Sequence, residues 1–420
     1  MSHSKSQIPN FKSSSYSNNK ILLHRIANKI AVTPNQRITF AEYMELVLYE
    51  PEQGYYATGA VNIGSEGDFF TSPHLCKDFG ELLAEQFVQM WDILGQPKPF
   101  TLIEMGAGKG FLAGDILNYL YSSHPNCFNA LEYIIVEKAS GLISQQQELL
   151  EQVKLSPLAV RWCTLEEISE NSITGCCFSN ELVDALPVHQ IIVEQGQLQE
   201  IYITTDNTEG DEINFIEITD SPSTPRLREY FDFVGINLIS GVYPEGYRSE
   251  VNLAALDWLT TIVSKLKRGF LLTIDYGYSA ERYYQPARHQ GTLKCYYRHR
   301  HHDNPYLNIG HQDITAHVNF TALERQGKLC ELQKVGFTQQ GLFLMALGLG
   351  DRLSALSANS DHRVATAQDL VTIMRRRDVL HQLIDPMGLG GFGVLIQSKG
   401  LTEEEEKVAL KGLTVPPMIR

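Results

Sequence analysis

The chain has 420 residues, of which 43% are hydrophobic and 20% charged, and this globular composition excludes fibrous and disordered classes. The 49 acidic residues exceed the 35 lysines and arginines and give a net charge of −14, which disfavours a nucleic acid partner. Seven cysteines without a C-x-x-C pair favour a reducing compartment, and no stretch reaches the roughly 18–20 apolar residues of a membrane span.

The N-terminal region is predicted to be a disordered tail followed by two helices. Residues 1–20 are rich in Ser and Asn, as disordered segments are. Six lysines and arginines precede the first acid, Glu42, so an organellar transit peptide is the alternative. We therefore expect a cytoplasmic protein, with the mitochondrial matrix as the alternative location. Hydrophobic spacing predicts helices at 25–30 and 39–49, the second capped by Thr39.

Alternating strands and helices follow and indicate an α/β fold. A glycine-bearing loop at 64–73 leads into a predicted helix at 75–94. Strands are then predicted at 100–105, 133–136, 160–162 and 175–179, and a helix is predicted at 111–121. This order is typical of a Rossmann-like, doubly wound and mostly parallel sheet with helices on both faces.

The second half of the chain interrupts this order and then resumes it. Strand-like segments at 190–194 and 200–204 precede an acidic loop and a turn with two prolines, which we interpret as an inserted α/β subdomain. Core elements are predicted to resume with a helix at 253–266 and strands at 270–274 and 394–396. The four acids at 403–406 are expected in the first turn of a terminal helix.

A glycine loop after the first predicted strand is the first candidate for chemistry. Gly106, Gly108 and Gly110 form a G-x-G-x-G pattern where α/β sheets bind nucleosides. Glu104 lies two residues before it. A dinucleotide fingerprint would need a glycine where Phe111 stands, which argues against a nicotinamide cofactor. The pattern favours S-adenosylmethionine, a phosphate-free ligand whose methionine end needs bare backbone and whose positive charges favour a carboxylate.

Further candidates for the cofactor site follow the next two strands. Glu137 closes the second strand, where a carboxylate can accept hydrogen bonds from both ribose hydroxyls. Leu165, which follows the third strand, completes this part of the expected cofactor set. The glycine loop, the strand and the terminal acid together favour a functional role over a simple helix cap.

The segment after the fourth strand is the candidate catalytic site. Asn180 and Glu181 follow that strand, and Asp184 is expected one helical turn later, although the same residues could form a helix N-cap. If the acceptor is an arginine, whose pKa exceeds about 12, a carboxylate can bind its guanidinium by paired hydrogen bonds and localise the charge. Glu181 is the first candidate for this role, and Asn180 is also assigned to the cofactor site.

Two other clusters are expected to have structural roles. The histidine-rich segment 298–303 lacks metal-ligand spacing and a compatible cysteine, so we expect a polar lid and no metal site. Cys176 and Cys177 lie within a predicted strand and are expected to be core residues rather than nucleophiles.

Several blocks of the sequence, in order, resemble the MidA-like family, whose mitochondrial members are protein arginine methyltransferases that assist assembly of respiratory complex I. The matching blocks are 49–56, 67–73, 79–82, 104–110, 180–181, 184–187, 275–277, 291–293, 313–315 and 387–388. The resemblance runs from Thr39 to Ile396. It implies a class I methyltransferase core with an added α/β portion, in which Gly106 and Gly108 contact the methionine end of the cofactor and Glu137 its ribose.

The resemblance also implies a loop that closes over the cofactor. The loop residues assigned to the cofactor site are Gly67, Asp68, Thr71, Ser72 and Pro73.

The sequence departs from the family pattern at four places. His74 stands where an acid is usual, Leu182–Val183 replace an aromatic pair, Asn319 replaces an aspartate and Gly393 a basic residue. Asn319 cannot act as a base and is given no catalytic role.

We therefore divide the chain into six segments. They are a disordered tail (1–20), an N-terminal helical cap with the cofactor-covering loop (21–98), the first half of the methyltransferase core (99–189), the inserted subdomain (190–250), the second half of the core with substrate-side loops (251–400) and a C-terminal helix or tail (401–420).

The expected function is transfer of a methyl group from S-adenosylmethionine to an arginine of a protein partner. The partner would be a protein with an exposed arginine, such as a complex I-type subunit, and the acidic surface would help to recruit a basic segment. A homodimer is left open. The alternatives are a small molecule or another side chain as acceptor, and a non-catalytic assembly chaperone that keeps the cofactor fold.

Overall fold

The computed structural model describes residues 18–57, 72–152, 160–206, 213–298, 300–362 and 367–414. The chain divides into two compact units, each made of three segments. Unit 1 comprises Met1–Phe69, Val183–Trp258 and Gly277–Arg325, and unit 2 comprises Phe70–Leu182, Leu259–Tyr276 and Gln326–Arg420. Across these described ranges, no helix has both the length and the apolar character needed to cross a membrane.

The described residues form the following strands and helices. The strands are β1 (Ile38–Thr39), β2 (Phe100–Met105), β3 (Leu131–Val136), β4 (Val160–Cys163), β5 (Ile173–Asn180), β6 (His189–Glu194), β7 (Gln197–Thr205), β8 (Phe215–Asp220), β9 (Arg248–Val251), β10 (Leu266–Asp275), β11 (Gly277–Tyr278), β12 (Lys294–Tyr297), β13 (Arg300–His302), β14 (Asp313–Thr315), β15 (Val318–Asn319), β16 (Gln333–Gln339) and β17 (Gly393–Lys399). The helices are α1 (Lys20–Val32), α2 (Phe40–Tyr49), α3 (Ser72–Leu75), α4 (Asp78–Ile93), α5 (Phe111–Ser123), α6 (Pro125–Ala130), α7 (Ser140–Gln152), α8 (Arg226–Val234), α9 (Leu253–Lys265), α10 (Ala280–Tyr283), α11 (Phe320–Leu329), α12 (Gln340–Ala346), α13 (Leu349–His362), α14 (Ala367–Ile384) and α15 (Glu403–Glu406).

Unit 2 is built on a seven-stranded sheet with the order β16-β17-β10-β5-β2-β3-β4. The five strands from β10 to β4 run parallel, whereas β17 runs antiparallel to both β10 and β16. Every residue of β2 is buried, as is typical of a parallel strand that is covered on both faces. The mostly parallel sheet confirms the predicted fold class.

The main hydrophobic core of unit 2 packs α4 and α5 against one face of this sheet. Phe87 of α4 and Leu112 of α5 belong to the same buried cluster as Leu102 of β2 and Tyr133 of β3. Since side chains alternate between the faces of a strand, Glu104 lies on the same face of β2 as Leu102. The helices therefore cover the carboxylate that precedes the glycine loop.

The described residues of unit 1 form three small sheets, which pack with buried hydrophobic clusters. Its largest sheet has the order β1-β7-β6-β9 with β8 beside β7, all antiparallel. Strand β12 lies between β13 and β14, and β11 pairs with β15. Helix α2 begins with the predicted cap, because the Thr39 hydroxyl accepts the backbone N–H of Glu42 at 3.1 Å, and its apolar face is buried.

Most core elements agree with their predictions, and the differences have local reasons. The helix predicted at 75–94 is α4, which begins three residues later at Asp78, and α3 is a separate turn that ends at Leu75. Helix α8 at Arg226–Val234 was not predicted, because Pro222 and Pro225 suggested only a turn, although proline is compatible with a helix start. The acids Glu403–Glu406 form a single turn instead of starting a longer helix.

The two compact units group the chain differently from the six predicted segments. The predicted insertion at 190–250 belongs to unit 1 together with the chain before Phe69 and with Gly277–Arg325. The predicted cap at 21–98 is divided between the units. The six-segment division stays a prediction.

A buried ion-pair network stabilises the helices of unit 2. Asp78, which is 1% exposed, accepts hydrogen bonds from Arg352 at 2.6 Å and from Arg376 at 2.8 Å, and Arg352 also pairs with Glu81. Burial raises the pKa of Asp78, but the two arginines lower it more, so that it lies below its usual value. The network therefore ties α13 and α14 to the start of α4.

We expect Asp78→Asn to lower the free energy of unfolding by about 3 kcal/mol, because Arg352 and Arg376 lose the buried carboxylate that accepts hydrogen bonds from both. Urea denaturation of the full chain measures this loss. The control is Asp92→Asn on the exposed side of the same helix, which should cost under about 0.5 kcal/mol. Equal losses in the two variants would show that the network does not stabilise unit 2.

Candidate functional site

The candidate site in unit 2 follows the carboxyl ends of β2, β3 and β5. Met105 at the end of β2 is in register with Val136 of β3 and Ser179 of β5. Because these strands are parallel, the loops after them leave the same edge of the sheet, which is where such sheets bind ligands. The glycine loop, Glu137 and Asn180 therefore follow neighbouring strands.

The glycine loop depends on backbone conformations that side chains disfavour. Gly106 has φ 72° and its N–H donates to the Val136 carbonyl at 3.1 Å, which ties the loop to β3. A methyl group on Gly106 would lie 2.7 Å from the Leu182 side chain. Gly110, with φ 86°, is the N-cap of α5. The loop thus presents bare backbone at the start of a helix.

Glu104 is a buried carboxyl beneath this loop. It is 3% exposed and accepts a hydrogen bond from the Tyr133 hydroxyl at 2.6 Å. Its pKa is about 7, because burial raises it, the Tyr133 hydrogen bond lowers it less, and the charge of Glu137 adds to the increase. Glu104 therefore changes charge near neutral pH.

Glu137 is held by its own backbone and by α7. Its Oε1 accepts the N–H groups of Lys138 at 2.9 Å and Ala139 at 3.1 Å, and its Oε2 accepts the Gln146 amide at 3.3 Å. Burial raises the pKa of Glu137, and these hydrogen bonds oppose the increase. The carboxylate is therefore fixed in orientation after β3.

Asn180, Glu181 and Ser72 are brought together in unit 2. The Glu181 Oε1 accepts the side-chain amide of Asn180 at 3.2 Å and the N–H of Ser72 at 3.3 Å. Glu181 itself has φ 52°, a left-handed conformation that is rare outside glycine, and its N–H donates to the Ile274 carbonyl at 2.9 Å. The alternative of an α-helix N-cap does not apply, because the chain turns sharply at Glu181 and a 3₁₀ turn follows.

Asp184 lies in unit 1, where it is 6% exposed in a 3₁₀ turn at Val183–Ala185. The expected spacing of one α-helical turn after Glu181 is therefore wrong. The Asp184 carbonyl accepts the Ala316 N–H at 2.9 Å, which fixes the turn against the segment after β14.

Some of the other predicted cofactor residues lie within the described residues and some lie outside them. Pro73 lies in the single helical turn α3, and Leu165 begins a 3₁₀ turn after β4 with a partly buried side chain. Gly108, with φ 53°, belongs to the glycine loop, and its carbonyl accepts the Gln146 amide. Gly67, Asp68 and Thr71 lie outside the described residues.

The histidine-rich segment is a strand in part. Arg300–His302 forms β13, which pairs with β12, while His299 lies outside the described residues. Within the described ranges, no group of three or more His, Cys, Asp or Glu side chains is placed to hold a metal ion. Cys176 and Cys177 are buried in β5, as expected of core residues.

Sequence reasoning missed the side chains that support the two acids. The sequence prediction places Tyr133 and Trp162 in strands and gives Gln146 no role, because it does not predict helix α7. Tyr133 donates to Glu104, Gln146 donates to Glu137 and to the Gly108 carbonyl of the glycine loop, and Trp162 donates to Gln146. The available signal for Gln146 was a polar residue on the buried face of an amphipathic helix. This signal can be recognised only once it is known which face of α7 is buried.

Comparisons with known proteins agree on one enzyme family. A family described as "Putative S-adenosyl-L-methionine-dependent methyltransferase" matches residues 82–338, more than half of the chain. The mitochondrial protein arginine methyltransferase NDUFAF7 of Homo sapiens is 29% identical over 77% of this chain and 73% of that protein, and its Drosophila melanogaster homolog is 29% identical over 84% and 79%.

A solved structure extends the likeness over nearly the whole chain. A crystal structure from Burkholderia thailandensis, bound to S-adenosyl-homocysteine, superposes with a TM-score of 0.79 at 29% identity and covers 94% of this chain and 95% of that chain. The animal relatives are named mitochondrial, so the comparisons give the predicted cytoplasmic location no support.

The raised pKa of Glu104 predicts how stability depends on pH. Below about pH 4.5, Glu104 is protonated in both the folded and the unfolded chain. As pH rises to about 7, only the folded chain retains the proton, so the free energy of unfolding should fall by about 3 kcal/mol and then level off.

Glu104→Gln should remove this part of the pH dependence, because the amide carbonyl can still accept the Tyr133 hydrogen bond. Urea denaturation between pH 5 and 8 measures the slope. Glu148→Gln, at an exposed position of α7, is the control and should keep the slope of the unaltered protein. An unchanged slope in Glu104→Gln would contradict the assignment.

Proposed function

The chain belongs to the S-adenosylmethionine-dependent methyltransferase family, and we propose that it transfers the methyl group to an arginine side chain of a protein. The main observation behind the proposal is the glycine loop of unit 2, which lies between the strand that holds the buried Glu104 and the start of α5. The loop is hydrogen-bonded to the strand that ends just before Glu137. The names of the arginine methyltransferase relatives support the acceptor.

The residues after β2, β3 and β5 fit the cofactor. Gly106, Gly108 and Gly110 would leave room for the methionine end, and Glu137 would accept the ribose hydroxyl protons. Asn180 contributes a buried Oδ1 that has no hydrogen-bond partner among the described residues, so it can accept a ligand N–H. When bound, S-adenosylmethionine supplies an electrophilic methyl group on a sulfonium.

Glu181 is the proposed acceptor carboxylate. Its Oε1 is oriented by Asn180 and by the Ser72 backbone, at the sharp turn after β5. A carboxylate held in this way can bind a guanidinium by paired hydrogen bonds, localise its charge and aim one nitrogen for an in-line transfer. On the family resemblance, Asp184 is proposed as a further catalytic acid.

The loop before α3 completes the proposed cofactor site. The assignment of Gly67, Asp68 and Thr71 rests on the family resemblance, and Ser72 and Pro73 lie in α3. Leu165, which begins the turn after β4, is proposed to contact the adenosine part.

The proposed partner is a protein that presents an exposed arginine, with a subunit of the respiratory complex I type as the candidate that the resemblance implies. The net charge of −14 favours a basic segment over nucleic acid. A homodimer is compatible with this proposal. The names of the animal relatives support a mitochondrial location, and the matrix is the proposed compartment.

Labelled S-adenosylmethionine, mixed with the protein and a candidate basic protein subunit, should place label on arginine. Glu181→Gln should slow this transfer at least about 100-fold, because one hydrogen-bonding charge is lost in the transition state. It should bind S-adenosylhomocysteine as the unaltered protein does. The control is Glu281→Gln, an exposed acid of α10, which should keep full activity.

Mass spectrometry of the labelled product decides between the acceptors. Label on lysine or on a small molecule would contradict the arginine assignment. Bound cofactor without any label transfer would favour a non-catalytic assembly role, and an active Glu181→Gln protein would remove Glu181 from the mechanism.

A further inference from the structure

Gln146 of α7 is a fully buried amide that contacts three separate parts of the cofactor region in unit 2. It is 0% exposed. Its Nε2 donates to the Gly108 carbonyl at 2.8 Å and to Glu137 Oε2 at 3.3 Å, and its Oε1 accepts the indole N–H of Trp162 at 2.9 Å. One side chain thus joins the glycine loop, the acid after β3 and the strand β4.

The orientation of this amide follows from the chemistry of its partners. The indole N–H of Trp162 can only donate, so the amide oxygen must face it. The Gly108 carbonyl and the Glu137 carboxylate can only accept, so the NH₂ group must face them. The amide oxygen and the amide NH₂ of Gln146 therefore both have hydrogen-bond partners. If the oxygen and the NH₂ exchanged places, all three hydrogen bonds would be lost.

The glycine loop and Gln146 also fit each other in shape. A methyl group on Gly110 would lie 3.3 Å from the Gln146 Cγ, tighter than an ordinary contact. The absence of a side chain at Gly110 therefore lets α7 bring the amide up to the loop. The contact between the amide and the Gly108 carbonyl depends on this close approach.

Gln146 determines which lone pair of the Glu137 carboxylate can accept a hydrogen bond from a ligand. Oε1 already accepts two backbone N–H groups, from Lys138 and Ala139. Oε2 accepts the Gln146 amide alone among the described residues, which leaves one of its lone pairs for a further donor. Because both oxygens are bound, the carboxylate cannot rotate without losing hydrogen bonds.

We propose that Gln146 is a positioning residue for cofactor recognition, which holds Glu137 toward the ribose and sets its distance from the glycine loop. The proposal rests on the proposed function, since it concerns the same cofactor. On this proposal Gln146 acts through Glu137 and the glycine loop and not by direct contact with the ribose. Trp162 supports it by fixing the orientation of the amide.

The test compares two ligands in two variants by calorimetry. The ligands are S-adenosylhomocysteine and its 2′,3′-dideoxy analogue, which lacks the ribose hydroxyls. Gln146→Met keeps the size of the side chain and removes its hydrogen bonds. The matched control is Gln147→Met, the exposed neighbour on the same helix.

The unaltered protein and Gln147→Met should prefer S-adenosylhomocysteine over the analogue. In Gln146→Met this preference should fall about tenfold, while the affinity for the analogue changes less than about twofold, because only ribose binding is lost. An equal weakening of both ligands would indicate a merely structural role and overturn the proposal, as would an unchanged preference.

Trp162→Phe provides a second variant in case Gln146→Met fails to fold, which circular dichroism would show. It replaces the indole with a smaller aromatic ring that has no N–H donor, and it should reduce the ribose preference about threefold. An unchanged preference in this variant overturns the proposal as well. If the unaltered protein binds neither ligand, the proposed cofactor site itself is wrong. This outcome differs from a failure of the Gln146 proposal, in which the unaltered protein binds both ligands and only the variants fail to behave as expected.

Discussion

The parallel pairing of β2 with β3 and β5 is the constraint on which the candidate site depends. Hydrogen bonds along these strands set the register in which Met105 faces Val136 and Ser179. A parallel register brings three strand ends to one edge, although Gly106, Glu137 and Asn180 lie far apart in sequence. A slip of one residue would turn Glu104 to the other face of the sheet. The fold thus assembles the site before any ligand is present.

The same arrangement has an electrostatic cost that links stability to binding. Glu104 is buried under α4 and α5, and the charge of Glu137 raises its pKa further. A cationic ligand beside these acids would offset part of their repulsion. In a methyltransferase of this family, S-adenosylmethionine carries such a charge, so cofactor binding and folding stability should favour each other on the proposed function.

Much of unit 2 could be predicted because its strands are short apolar runs that end at glycine or polar residues, as at Phe100–Met105. The sharp turn at Glu181 could not, since a left-handed glutamate has no local sequence signal and depends on its hydrogen bond to Ile274. Gln146 reads as one more polar helix residue until its face is known. The positions of Asp184 and α8 likewise depend on tertiary packing in unit 1.

The placement of β17 has a consequence for synthesis of the chain. This strand fills the space between β10 and β16, yet Gly393 follows Asp275 only after the remainder of unit 1 has been made. On the ribosome, the edge of β10 that later pairs with β17 therefore waits without its partner, although its other edge can already pair with β5. A nascent chain of this kind is a natural client for chaperones until translation passes β17.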